Sequence, residues 1–216
     1  MKKCSLLLLF TAIFISGCSL NKKQEETSIS RDDPSILIAY FSWGENAEAF
    51  DSSEIDVDAT TSASLSLPGN VVKMASEIGE RVEAEIFRIL VKDRYPSDYD
   101  ECLERASEEK VTSTKPELIN TVSDINDYDV IFFGYPNWWS TAPMAIFTFI
   151  EEHDLTNKEV ILFCSHGTSG LGSSVTDISE VLPNSTTINE NVLGVAREEI
   201  EQSEKMVVSW LYDLGF

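Results

Sequence analysis

Two adjacent tryptophans, Trp138 and Trp139, follow Pro136 and Asn137 shortly after the apolar run VIFF. A strand sends neighbouring side chains to opposite faces, whereas a turn leaves at least one of the two near water. Indoles in that position are suited to stacking on a planar, partly apolar ligand. The alternative is that both indoles close the end of the core; we favour a ligand-facing role for at least one. Asn137 either belongs to such a site or shapes the turn.

Small polar residues and one histidine follow a second apolar run, in the segment Ser165-His166-Gly167-Thr168-Ser169-Gly170. His166 is suited to hydrogen-bond a ligand oxygen or to donate a proton to a substrate, and the alternative is that it faces solvent. A serine hydrolase is excluded. The segment lacks the second glycine of a nucleophile elbow, and no histidine lies further along the chain.

A third segment, Gly69-Asn70, opens a helical apolar pattern and follows, after a long loop, an apolar run that ends near Ser42. The start of a helix binds phosphate through free backbone N–H groups and needs no basic side chain. The segment is neither a Walker motif, because it lacks Gly-Lys-Ser/Thr, nor the dinucleotide motif G-x-G-x-x-G. The three segments together predict a site for a phosphate joined to a flat ring.

Short apolar strands that alternate with amphipathic helices position these segments. Strands are predicted at 35–42, 84–90, 127–136 and 158–167, with a weaker edge strand within 185–194. Helices are predicted at 70–82 with Asn70 as N-cap, at 97–110, at 142–154 with Pro143 in the first turn, at 172–182 and at 197–216. This order predicts an α/β fold with a parallel sheet covered on both faces. Ligands bind at the carboxyl ends of such strands, so we expect the three segments to converge on one cleft.

The first residues are typical of a bacterial lipoprotein. A basic start, an apolar run over 5–15 and the string ISGC predict a signal peptide at 1–17 and lipidation of Cys18. The alternative is an ordinary signal peptide cleaved nearby. The polar stretch 18–34 is predicted to be a flexible tether, and 35–216 is long enough for one domain with a full core. We therefore expect an extracytoplasmic protein anchored to a membrane by lipid.

The chain is strongly acidic, with a formal net charge of −21 that becomes −23 if Lys2 and Lys3 leave with the signal peptide. Nucleic acid is excluded as a partner, because its phosphates would be repelled. The loop 43–68 carries six acids and no Lys or Arg. We interpret it as a solvated surface, with partner docking as the less favoured alternative.

The cysteines and histidines do not have the spacing of a metal-binding motif, since the chain has two histidines and no Cys-x-x-Cys. Cys102 and Cys164 fall in a predicted helix and a predicted core strand, so we expect buried, unpaired thiols. His153 ends a predicted helix. It is expected to be a favourable charge there or an inert surface residue.

The segments YFSWGENA…LPGNVVKMA, YPSDYDECLERASEE, YDVIFFGYPNWWSTAPMAIFTFIEEHDL and FCSHGTSGLGSS resemble the flavodoxin-like superfamily over residues 35–216. The nearest likeness is to the long-loop bacterial branch of flavodoxin-type flavoproteins, some of which are membrane-anchored. The resemblance implies a three-layer, doubly wound, five-stranded parallel sheet of order 2-1-3-4-5, with FMN as cofactor. It implies a phosphate site at Ser42, Gly69, Asn70, Val71 and Val72, one ring wall at Pro136, Asn137, Trp138 and Trp139, another at Ser165, His166, Gly167, Ser169 and Gly170, and a ring neighbour in Tyr95.

Two positions depart from the family's pattern. Val71 stands where the family usually has threonine, and Thr168 stands where it often has glycine. One lost hydrogen bond to a charged phosphate weakens binding by about 1.5–3 kcal/mol. The hydroxyl-rich stretch Thr60-Thr61-Ser62-Ala63-Ser64 is the alternative source of a donor.

Two functions follow from this pattern. The first is an FMN-dependent redox protein that exchanges electrons with an unknown redox partner or reduces a small acceptor such as a quinone. The second is a lipoprotein binding module that keeps the fold and holds no flavin.

Overall fold

The computed structural model describes residues 34–216. The predicted signal peptide, Cys18 and all but the last residue of the predicted tether lie outside this range. Across the described range, no helix combines the length and apolar character that a membrane crossing requires.

The centre of the fold is a parallel sheet of β1 (Ile36–Tyr40), β2 (Glu85–Arg88), β3 (Val130–Pro136), β4 (Glu159–His166), β5 (Thr187–Ile188) and β6 (Leu193–Ala196). The order is β2-β1-β3-β4-β5. Strand β6 pairs with the same edge of β4 as β5 does, but nearer the carboxyl end of β4. The predicted order 2-1-3-4-5 is therefore confirmed, with the fifth position shared by two short strands.

The predicted single edge strand within 185–194 differs from this observed pair. Between β5 and β6, Asn189 accepts a hydrogen bond from the N–H of Asn191 at 2.9 Å and donates to Glu159 at 3.0 Å. The N–H of Asn189 still bonds the carbonyl of Val160 at 2.8 Å, but the N–H of Asn191 is diverted to the side chain, so the strand is interrupted there. Pairing with β4 then resumes and continues to Ala196, beyond the predicted end.

Seven α-helices connect the strands within the described range: α1 (Trp43–Asn46), α2 (Val57–Thr61), α3 (Asn70–Val82), α4 (Tyr99–Thr112), α5 (Met144–Glu152), α6 (Ser174–Val181) and α7 (Ser203–Leu214). The predicted helices are confirmed with small shifts at their ends. The predicted closing helix begins instead with a 3₁₀ segment at Arg197–Gln202. Asn70 was predicted as the N-cap of α3 and is instead its first residue, since Gly69 is the N-cap. Pro143 was predicted in the first turn of α5 and is instead the residue just before it.

The stretch 43–68, predicted as loop, contains α1 and α2. Asn46 explains why α1 forms, because its buried side chain satisfies three backbone groups at the ends of β1 and β2. It donates to the carbonyls of Ser42 at 2.9 Å and Ile89 at 3.1 Å, and it accepts from the N–H of Val91 at 2.8 Å. These contacts pin the start of the long loop to the sheet.

Helices cover both faces of the sheet, which gives three layers. One face packs against α3 and α7 through side chains such as Ile38, Phe132 and Trp210. The other face packs against α4, α5 and α6 through side chains such as Ala39, Phe133 and Phe149. Both faces of the central strands are buried, which accounts for their nearly continuous apolar sequences.

Cys102 and Cys164 are buried, free thiols, as predicted. Burial raises the pKa of Cys102 to about 12, so this thiol stays protonated and unreactive.

His153 is buried, which differs from the predicted surface or charged role. Its Nε2 accepts the N–H of Val122 at 3.0 Å, so Nδ1 carries the proton and donates to the carbonyl of Phe149 at 2.8 Å. The ring is thereby neutral. It ties the end of α5 to the segment before β3.

Candidate functional site

Ser165, the seventh residue of β4, joins the three segments at the carboxyl edge of the sheet. Its hydroxyl accepts a buried hydrogen bond from the side-chain amide of Asn70 at 3.1 Å. Its carbonyl accepts the N–H of Asn137 at 2.8 Å, and the side-chain amide of Asn137 donates to the carbonyl of Gly170. The segments after β1, β3 and β4 therefore meet, as the order of elements predicts.

The start of α3 presents unpaired backbone donors. The first hydrogen bond of the helix runs from the N–H of Lys73 to the carbonyl of Gly69 at 3.0 Å. The N–H groups of Asn70, Val71 and Val72 precede that bond and have no partner within the helix. Their aligned dipoles place a partial positive charge at this point of an acidic protein.

Ser42 follows β1 and is buried, but its hydroxyl is already engaged. It donates to one carboxylate oxygen of Glu45 at 3.0 Å, and the hydroxyl of Tyr40 donates to the other at 3.1 Å. Arg88 lies 3.7 Å from the same carboxylate. Burial, followed by the charge of Glu45, raises the pKa of Tyr40.

The long loop closes over the start of α3 at very short range. A Cβ atom on Gly69 would lie 3.0 Å from the carbonyl oxygen and 3.3 Å from the Cβ of Ser64. A Cβ atom on Gly44 would lie 2.8 Å from the carbonyl oxygen of Leu65. Glycine at these two positions lets the returning chain lie directly against the helix end and α1.

The two tryptophans occupy the start of a tight, clamped turn. Trp138 and Thr141 exchange backbone hydrogen bonds at 2.9 and 3.0 Å, and Trp139 and Ser140 between them have φ values of +51° and +65°. Such left-handed conformations are unfavourable for residues other than glycine. Ser173 donates from its N–H to the carbonyl of Ser140 at 2.7 Å and helps to hold the turn in place.

The structure separates the roles of the two indoles. Trp138 is 7% exposed and packs edge-on against Phe41 and Tyr95, at centroid distances of 5.4 and 5.2 Å. Trp139 is 48% exposed, and its indole N–H donates to the carbonyl of Leu103 at 2.9 Å. One indole therefore closes the end of the core, and the other lies at the surface.

Tyr95, the predicted ring neighbour, lies in the core. It has no exposed surface, its hydroxyl donates to Glu109 at 2.7 Å, and the guanidinium of Arg105 lies 4.0 Å over its ring. Burial, followed by the charge of Glu109, raises the pKa of Tyr95. Its position after β2 places it at the carboxyl edge of the sheet, and its side chain packs against Trp138.

The segment after β4 is more open than the other two. His166 is half-buried, and its Nδ1 donates to the carbonyl of Gly167 at 2.9 Å. Thr168 and Ser169 are exposed, and nothing lies within 4 Å of the position that a Cβ atom on Gly170 would occupy.

Sequence reasoning missed Arg197, which directly follows β6. Its Nη1 lies 3.6 Å from the position of a Cβ atom on Gly167, as does the hydroxyl of Ser62. The hydrogen bond from Arg197 to Glu198 raises the pKa of Arg197, with smaller effects from Asp58 and Tyr99. The end of the last strand would have indicated this residue. Because Ala196 pairs with His166, the residues that follow them, Arg197 and Gly167, lie at the same edge of the sheet.

Buried polar atoms without partners concentrate at this edge. Within residues 34–216, four such side-chain atoms occur: Ser64 Oγ, Glu77 Oε2, Asn137 Oδ1 and Trp138 Nε1. Three of the four belong to the segments that converge here. A buried polar atom left unpaired costs about 1–3 kcal/mol, so it calls for a bound water or ligand.

Trp138 has a local candidate for its partner. It lines a cavity of about 10 Å³ together with Glu109 and Thr141, which is room for roughly one water molecule. The unpaired atoms of Ser64 and Asn137 are therefore the more informative ones for a ligand.

A wider groove of about 650 Å³ is lined by Lys92, Arg105, Glu109 and Glu117 together with Asp93 and Glu108. Its cations are already paired, Lys92 with Glu117 and Arg105 with Glu109, both at 2.9 Å, and the carboxylates of Asp93 and Glu108 make no ion pair with the described residues. We therefore place the candidate site at the sheet edge, where donors are unpaired, and not in this groove.

Comparison with known proteins gives a consistent answer. The sequence model of the flavodoxin family matches residues 60–211. A search of curated proteins finds no match.

Three solved structures illustrate the likeness. A candidate flavoprotein from Bacteroides eggerthii is 28% identical, with 85% of this chain and 99% of that chain covered and a TM-score of 0.62. One from Bacteroides uniformis is 25% identical over 80% and 98% of the two chains, with a TM-score of 0.55. A flavoprotein from Lactobacillus acidophilus, crystallised in complex with FMN, is 22% identical over 78% and 97%, with a TM-score of 0.53.

The left-handed turn leads to a prediction for Ser140→Gly. Glycine relieves a strain of about 1–2 kcal/mol and loses about 0.4–1 kcal/mol through the freer unfolded chain, so we expect a net stabilisation of about 0.5–1 kcal/mol. The free energy of unfolding from urea titration measures it. Ser140→Val should lower that free energy, because a β-branched residue tolerates positive φ poorly. A glycine variant less stable than the valine variant would contradict the assigned turn.

Proposed function

We propose that this chain, which belongs to the flavodoxin family, is an FMN-dependent redox protein held outside a membrane by a lipid anchor. The observation that carries the proposal is the junction at Ser165, where a helix end with free N–H groups meets the tryptophan turn and the glycine-rich segment. Such an edge offers neutral donors for a phosphate next to an aromatic surface.

The donor set fits FMN. The N–H groups of Asn70, Val71 and Val72 would hold the phosphate, and no cation is required for this. The segments Pro136–Trp139 and Ser165–Gly170 would hold the ring system between them, with the exposed Trp139 as the stacking surface and Asn137 Oδ1 as a free acceptor. A flavoprotein that shares the fold was crystallised with FMN, and family membership supports the same cofactor here.

FMN, when bound, supplies one- or two-electron transfer, and the protein supplies binding, orientation and electrostatics. His166 is the candidate proton donor at this edge, since it is half-buried and an imidazole is suited to proton transfer. Electron transfer to a partner and reduction of a small acceptor such as a quinone are the two reactions that this arrangement serves.

The proposed location restricts the electron donor. Outside the membrane a protein does not meet the cytosolic pool of nicotinamide cofactors, so a membrane quinol or a partner protein is the expected donor. The support for this location is the lipoprotein pattern at residues 1–18, which ends in the string ISGC.

A second candidate function is a binding module on the same fold without flavin. Two observations favour it: Val71 offers no hydroxyl at the start of α3, and the hydroxyl of Ser42 is committed to Glu45 at 3.0 Å. Both remove side-chain donors from the phosphate end of the site.

A visible spectrum separates the two functions. We expect the purified protein to be yellow, with a flavin band near ~450 nm, and to release FMN on denaturation. Loss of stacking in Trp139→Leu should weaken FMN binding about two- to tenfold in a flavin-fluorescence titration. The control is Trp210→Phe, on the opposite face of the sheet. A colourless protein that also ignores added FMN would support the flavin-free module.

The anchor is tested by mass spectrometry of the mature protein from a bacterial host. We expect a diacylglyceryl group on Cys18 as the first residue, because the cysteine of a lipobox is modified before cleavage. Cys18→Ser should lose the lipid, and Cys102→Ser should keep it. A parent protein cleaved at another residue and free of lipid would overturn the proposed localisation.

A further inference from the structure

Ser64 carries a buried hydroxyl that nothing in the fold uses. The residue is 1% exposed, and its Oγ has no hydrogen-bond partner within the described residues. A serine hydroxyl both donates and accepts, and burying it unpaired costs about 1–3 kcal/mol. Such a group calls for a bound water or a ligand.

Ser64 lies between two core residues in the returning part of the long loop. Ala63 and Leu65 on either side are buried in the cluster that packs against α4 and α5, and the N–H of Leu65 donates to the carbonyl of Ala59 at 3.0 Å. Ser64 between them has a φ of +64°. This left-handed conformation is unfavourable for serine, and strain of this kind clusters at ligand clamps.

The side chain of Ser64 lies at the start of α3. Its Cβ is 3.3 Å from the position that a Cβ atom on Gly69 would occupy, and Gly69 is the N-cap of this 13-residue helix. The free N–H groups of α3 and the residue that carries the free hydroxyl therefore lie next to the same N-cap. These are two independent features that suit the same kind of ligand, an anion with several acceptor oxygens.

The side chains expected at the phosphate end of the site are committed or apolar. Ser42 donates to Glu45 at 3.0 Å, and the amide of Asn70 donates to Ser165 at 3.1 Å. The side chain of Val71 has no polar atom. Of the two serines that border Gly69, Ser64 is the fully buried one with an unpaired hydroxyl, whereas Ser66 is half-buried.

We propose that Ser64 is the side-chain donor of a phosphate subsite at the start of α3, where the long loop supplies the hydroxyl that position 71 lacks. The inference rests on the proposed function for the identity of the full ligand, FMN. The consequence is specificity: Ser64 makes the site prefer a flavin that carries a terminal phosphate over riboflavin, which has the same ring and no phosphate.

Flavin titrations of the full chain test the preference. We expect Ser64→Ala to weaken FMN binding by about ten- to a hundredfold, because a hydrogen bond to a charged group is lost, and to leave riboflavin binding unchanged. Ser64→Gly, which tolerates the positive φ, should behave like Ser64→Ala if the hydroxyl is the cause. Ser53→Ala is the control, since its hydroxyl lies in the same loop, exposed and bonded to Asp51 at 2.8 Å.

Inorganic phosphate is the second probe, and it does not depend on flavin. Phosphate at fixed ionic strength should raise the Tm of the parent and of Ser53→Ala above its value in chloride, and it should do so less for both Ser64 variants. Flavin binding that is unchanged in both Ser64 variants would overturn this inference and leave the proposed function standing. A phosphate response that depends on Ser64, in a protein that binds no flavin, would support this inference and overturn the proposed function. A parent that responds to neither probe would overturn both.

Discussion

The proposed site depends on one constraint: a chain with a net charge of −21 has to hold an anion, and the guanidinium of Arg197 near this edge is already bonded to Glu198. The parallel sheet meets this constraint because it brings the start of α3 to its carboxyl edge, where backbone N–H groups carry a partial positive charge. Ser165 then fixes the geometry, with its hydroxyl bound to Asn70 and its carbonyl bound to Asn137. Without that junction the three segments would share an edge but would not form one site.

The long loop after β1 has two physical roles in this arrangement. Its ends are fastened to the sheet, by Asn46 at the start and by the buried Ala63 and Leu65 near the return. Between those anchors it covers the start of α3, where a Cβ atom on Gly69 would crowd the carbonyl oxygen of Ser64 at 3.0 Å. The acidic surface of the loop and its buried hydroxyl are therefore separate features, the first largely exposed and the second on a residue that borders Gly69.

Periodicity and β-branched content predicted the strands, the long helices and their order, because buried parallel strands and amphipathic helices leave strong patterns. The sequence also predicted which segments meet at the edge, since that follows from topology alone. It could not predict which way Tyr95 points, that His153 is buried and neutral, or that Trp138 and Trp139 divide into a core and a surface residue. Each of these depends on a tertiary partner far along the chain: Glu109 and Trp138 for Tyr95, Val122 for His153, and Leu103 for Trp139.

The most direct test of the central claim is an amide NMR titration of the protein with FMN. If uncharged main-chain groups hold the phosphate, the amide protons of Asn70, Val71 and Val72 should shift downfield on binding, because each gains a hydrogen bond to a charged oxygen. The same amides should stay in place with riboflavin. Shifts confined to the groove at Lys92 and Arg105, with those three amides unmoved, would contradict the account.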